Sequence, residues 1–104
     1  MVFELRQYRI RPGTRDAWVR FMETEVIPFQ ASMGMVVVGS FVGREEEDLY
    51  IWLRRFESEE ERQLQYKAVY ESDHWKHEIA PTIPKMLDGQ VVTLMEPTPK
   101  SVIR

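Results

Sequence analysis

The sequence predicts an α+β fold: one antiparallel sheet with helices on a single face, laid out along the chain as β-α-β-β-α-β. Three observations predict it. Stretches of period-two apolar alternation open the chain and recur later. Stretches of helical spacing lie between them. Pro-Gly and polar turns mark the changes of period. The 104 residues, 43% hydrophobic and 30% charged, make one domain, residues 1–104, of ordinary globular balance.

Residues 2–10 alternate, with Phe3 and Leu5 on one side and Glu4, Arg6, Tyr8 and Ile10 on the other, which is a strand. Pro12-Gly13 turns the chain, and Thr14 is placed to cap a helix. Trp18, Phe21, Met22, Val26 and Phe29 then recur at helical spacing, and Pro28 is expected to kink or end that helix. Residues 35–42 are β-rich and apolar on both sides, the pattern of a well-buried strand. Residues 43–48 form a polar hairpin loop. Residues 49–56 alternate again, setting Leu49, Ile51 and Leu53 against Tyr50, Trp52, Arg54 and Phe56. Ser58 and Glu61 form a capping box at the start of a helix over about 59–71, whose first-turn acids suit the helix dipole. Ser72-Asp73 begins a short helical piece with His74, Trp75 and His77, and Pro81 and Pro84 interrupt the stretch beyond it. Residues 91–95 are the last strand, and a tail from about 97 to 104 is extended. This order is the split βαβ, ferredoxin-like motif, in which the first and third strands lie side by side.

One face of such a sheet has no helices. With Phe3, Leu5, Leu49, Ile51 and Leu53 turned toward the helices, that open face carries Tyr8, Ile10, Tyr50, Trp52 and Phe56. Each large side chain left wet forgoes roughly 1.5–3 kcal/mol of burial. A two-fold homodimer, sheet against sheet, is the expected closure. Glu4, Arg6 and Arg54 would then be buried, and must pair or meet a ligand. Two readings fit this set. Glu4, Arg6, Tyr8, Tyr50, Trp52 and Arg54 form a small-molecule pocket in which Arg6 or Arg54 holds an anion or carbonyl, or they fill a dimer seam around a structural Glu–Arg pair.

His74 and His77, the only histidines, are either surface groups or a source of acid–base chemistry. His74 is the better catalytic candidate, because the neighbouring Trp75 should anchor it. No third ligand completes a metal set around them, so no metal site and no cofactor are expected. Haem would need a histidine, tyrosine or methionine as axial ligand. The acidic runs at 45–48 and 57–61 read as a solvated hairpin and a helix start. No serine sits in a nucleophile elbow, and no glycine loop cradles phosphate. A net charge of −3 and a pI near 5.4 argue against nucleic acid. No apolar run reaches the ~20 residues that cross a membrane. The opening residues do not read as a signal or transit peptide. Cysteine is absent, which excludes disulfides and thiolate chemistry. A cytoplasmic location is the expectation.

FELRQYRIRPG, starting at Phe3, resembles the opening of the NIPSNAP family, an E-L-R-x-Y strand running into a Pro-Gly turn. YIWLRRFESEEER and YKAVYESDHW resemble that family's second block: a strand with a central tryptophan, an acidic helix and an Asp-x-Trp stretch. The likeness spans about residues 3–96. It implies a dimeric α+β barrel, a superfamily that includes small monooxygenases, haem-degrading enzymes and isomerases. It supplies no catalytic motif to carry over, and fold alone does not decide function. A small-molecule binder, as a cofactor-free oxygenase or isomerase, is one expectation; a non-catalytic scaffolding or regulatory dimer is the other.

Overall fold

The alternation at the start of the chain becomes strand β1, Val2–Ile10. In the computed structural model, which describes residues 1–104, it is followed by α1 (Arg15–Phe21), a π-helical turn (Met22–Val26), α2 (Ile27–Ser32), β2 (Val36–Val42), β3 (Leu49–Phe56) and α3 (Glu59–Tyr70). A second π-helical turn (Trp75–Ile79), a 3-10 turn (Ala80–Thr82), α4 (Ile83–Met86) and β4 (Leu87–Met95) complete the chain. The strands pair antiparallel in the order β2-β3-β1-β4. The first and third strands are neighbours, with Glu4 opposite Arg54 and Arg6 opposite Trp52. The fold is the ferredoxin-like α+β arrangement. No helix is long and apolar enough to cross a membrane.

The faces are the reverse of those expected from the sequence. Tyr8, Ile10, Tyr50 and Trp52 pack under the helices with Trp18, Met22, Val26 and Ile79. Phe56 joins Met35 and Val69. Leu5, Ile51 and Leu53 lie on the side without helices. Two physical reasons favour this choice. The broad rings interlock with Trp18, whose ring meets Tyr8 and Tyr50 edge-on at 5.8 and 6.0 Å. The helices also supply Gln30, Tyr66 and Tyr70, polar partners that the buried Glu4 and Arg54 require.

Other expectations change with tertiary context. Pro28 does not end its helix. It sits in the first turn of α2, directly after the π turn of Met22–Val26, and the helical path runs on through it to Ser32 although its missing N–H forgoes one bond to the preceding turn. Thr14 does not cap with its side chain; its hydroxyl donates to the Arg11 carbonyl at 2.7 Å. β2 is an exposed edge strand rather than a buried one, with Phe41 59% exposed, because only Val37 of that strand packs against the core. β4 starts at Leu87, ahead of the expected Val91. Asp88, Gly89 and Gln90 hide its alternation, but the pairing of Gly89 with Arg9 and Leu87 with Ile10 extends it. The tail turns back through a bond from the Ser101 amide to the Thr98 carbonyl at 3.0 Å. Pro97 and Ile103 border a hollow over Phe3 and Leu53, so Phe3 is buried on a face that no helix covers.

Candidate functional site

The face under the helices carries both charge and open space. Glu4 and Arg54 are fully buried. One Glu4 carboxylate oxygen accepts from Arg54 and from Arg6. The other accepts from Arg62 at 3.1 Å and from the Tyr66 hydroxyl. Arg54 donates further to the Gln30 carbonyl oxygen at 2.7 Å and to the Tyr70 and Tyr66 hydroxyls at 2.8 and 2.9 Å. Its guanidinium also lies 4.7 Å from the Trp52 ring centre. Burial alone would raise the Glu4 pKa, but Arg54 and the hydrogen bonds from Arg54, Tyr66 and Arg6 outweigh it and hold the carboxyl at about 2. Burial pushes the Tyr66 phenol up, and it stays protonated. Arg6 and Arg54 are both held firmly in the charged form against the desolvation that opposes it.

Beside this network lies a cavity of about 320 Å³, between the sheet and the helices of a single chain. Arg6, Tyr8 and Trp52 line it from the sheet, with Leu87 and Gln90 from β4. Trp18, Met22 and Val26 close it from the first helical segment, Tyr66 and Tyr70 from α3, and Trp75 and Ile83 from the segment before β4. Both π-helical turns contribute, the first through Met22 and Val26 and the second through Trp75. Such turns widen the helix and re-aim side chains, and are frequent at functional sites. The rings of Tyr66, Tyr70 and Trp75 form a run with centroid separations of 4.9 and 4.8 Å.

Several donors in the lining have nothing to give their hydrogen to. Tyr8 accepts from Arg6 at 3.0 Å. Tyr70 accepts from Arg54 at 2.8 Å and from Gln30 at 3.3 Å. Neither phenol meets an acceptor for its own hydrogen. The buried indole N–H groups of Trp18 and Trp52 have no partner either. Both indole nitrogens are sealed from the cavity, and a buried unsatisfied donor costs about 1–3 kcal/mol.

The six residues predicted as pocket are thus brought together, but inside one chain rather than at a seam between two. Arg6, Tyr8 and Trp52 line the cavity, and Glu4 and Arg54 stand directly behind Arg6. Tyr50 is set back in the core, bonded to Ser40, with burial first among the reasons its phenol is raised to about 12. His74 is not brought to the site. It is exposed at the start of the second π turn, its ring 4.7 Å from that of Phe29, while Trp75 next to it turns inward. Gln30, Arg62, Tyr66 and Tyr70 were missed. Tyr66 and Tyr70 stand four apart on α3 and share a face, a spacing that could have flagged them. Gln30 carried no signal, since a glutamine in a surface-like helix reads as solvated.

The ferredoxin-like fold is shared by solved structures of other small α+β proteins, among them antibiotic biosynthesis monooxygenases. A putative one from Nitrosomonas europaea superposes with a TM-score of 0.70 over 92% of this chain and 97% of its own, at 6% identity. Two NIPSNAP family proteins of Agrobacterium tumefaciens match more fully. One, of unknown function, has a TM-score of 0.90 at 24% identity, covering 100% of this chain and 94% of its own. The other has a TM-score of 0.89 at 24% identity, covering 99% and 98%. The NIPSNAP family model matches residues 3–102, and the chain belongs to that family. No curated protein matches the chain.

Proposed function

We propose that this protein binds a small, largely planar organic molecule in the cavity between its sheet and its helices. The observation that carries the reading is the cavity itself: about 320 Å³, walled by Tyr8, Trp18, Trp52, Tyr66, Tyr70 and Trp75, with the guanidinium of Arg6 at one side. Concave, mostly apolar sites with a few convergent polar groups are the usual form of a ligand pocket. The reaction class we attach to it is that of a cofactor-free oxygenase or isomerase, in which charge developing on a ligand oxygen is stabilised by preorganised donors. Arg6 and Tyr8 are the donors placed for this. His74 has no part in the proposal, since it lies outside the cavity.

We further propose that the protein acts as a homodimer closed through the helix-free face. Leu5, Ile51 and Leu53 lie at its centre, and Phe41 and Val91 extend it on the outer strands, each 59% exposed. An apolar face of that extent favours a partner. The cavity lies on the other side of the sheet, so each copy keeps its own.

The test is saturable binding. Quenching of tryptophan fluorescence by bicyclic aromatic compounds should saturate in the unaltered protein. It should vanish in Ile83→Trp, which fills the cavity. Linear, unsaturated quenching with every compound in both proteins would refute the binding reading.

A further inference from the structure

The cavity has many donors and no base. Among its lining side chains there is no aspartate, glutamate or histidine. The carboxylate nearest to it, Glu4, already accepts from three guanidiniums and a phenol, and is held at about 2, so it is spent as a proton acceptor. The hydrogens of Tyr8 and Tyr70 lack acceptors. The charge count points the same way. Arg6, Arg54 and Arg62 face only Glu4 and, at the surface, Glu59, which leaves one positive charge in excess beside an aromatic wall.

We infer that the cavity selects an aromatic ligand already carrying an oxyanion, an aryl oxide or a carboxylate, which supplies the acceptor missing at Tyr8 and balances the excess positive charge of the arginine cluster, of which Arg6 is the member that lines the cavity. The inference rests on the proposed binding cavity and adds the ionisation state of what enters it. A neutral phenol or enol could give its hydrogen only to neutral oxygens, the Gln90 carboxamide or a tyrosine hydroxyl, and would leave the excess positive charge unbalanced. Its anion would bring lone pairs to the Arg6 guanidinium and the Tyr8 hydroxyl, where a charge-assisted bond is about twice as strong as a neutral one. The proton is therefore left in water before the ligand enters, and binding lowers the ligand's apparent pKa.

Three probes of similar outline separate the possibilities: 2-methylnaphthalene, 2-naphthol and 2-naphthoate, titrated by tryptophan quenching at neutral pH. A fourth, 4-nitrophenol, reports its own ionisation through the visible phenolate band. Naphthoate should bind at least about tenfold more tightly than methylnaphthalene, a difference near 1.4 kcal/mol. The phenolate band of 4-nitrophenol should grow on adding protein at a pH below its solution ionisation. The two oxyanion probes also separate a carboxylate site from an aryl oxide site, since each reports on one of them. Both effects should shrink in Tyr8→Phe, which removes one hydroxyl and keeps the ring, and in Arg6→Gln. Equal affinity for methylnaphthalene and naphthoate, with no growth of the phenolate band, would overturn the inference while leaving the cavity a binding site. Failure of all four probes to bind would overturn both.

Discussion

Glu4 is the residue on which the buried network turns. Its folded pKa of about 2 lies below the unfolded value near 4.5. A carboxyl depressed on folding contributes stability that is complete above the unfolded value and is lost as pH falls toward the folded one. Unfolding free energy should therefore decline between about pH 5 and pH 2. Glu4→Gln should remove most of that acid dependence. It should also cost about 3–5 kcal/mol at neutral pH, because Arg54 is left buried and unpaired. Urea unfolding across that pH range measures both, and an unchanged acid limb in the variant would contradict the assignment. Trp52→Ala should cost about 3–5 kcal/mol in the unfolding of a single chain, since the ring is buried under the helices and not at a subunit seam. Denaturation at concentrations too low for association is the check. The single letters Glu4, Arg6 and Arg54 were readable as a charged set on one side of two paired strands. Gln30, Tyr66 and Tyr70, which make their burial tolerable, come from distant helices and could be found only in space.

At the scale of elements, local chemistry and tertiary packing share the decisions. α3 begins where the sequence says it should: the Glu61 amide donates to the Ser58 hydroxyl at 3.0 Å, and the Glu61 carboxylate reaches back to the Glu57 amide at 2.8 Å. Ser58→Ala should cost about 1 kcal/mol, seen as a lower midpoint in chemical denaturation, with the cavity's ligand affinity unchanged. A loss of more than twice that would mean Ser58 does more than cap. The first helical segment shows the opposite balance. Pro28 reads locally as a stop, yet the chain stays helical because a π turn precedes it and Gln30 beyond it must reach Arg54. β4 shows it again. Val91 to Met95 declares itself by composition, whereas Leu87 to Gln90 becomes strand only by pairing with β1. Cavity walls drawn from the two π turns lay beyond sequence reading, because nothing in residue type distinguishes a π turn from an α-helix.

At the scale of the whole molecule, the sheet divides its labours between two faces. One holds the charged network and the cavity; the other, centred on Leu5, Ile51 and Leu53, is the face proposed to meet a second copy. Ile51→Glu should give a folded chain of single-subunit mass in sedimentation, with the cavity still binding its probes. An unchanged dimer would place the interface elsewhere. By itself, the sequence determined the number and order of the strands, the two main helical segments between them, the adjacency of the first and third strands, and which side chains share a face. These rest on period and local capping, which act between near neighbours. Only the tertiary structure decided which face the helices cover. A period of two is symmetric between the faces of a sheet. The symmetry is broken by whether rings and charges find complementary partners across the gap, and those partners, Trp18, Gln30, Tyr66 and Tyr70, lie far away along the chain.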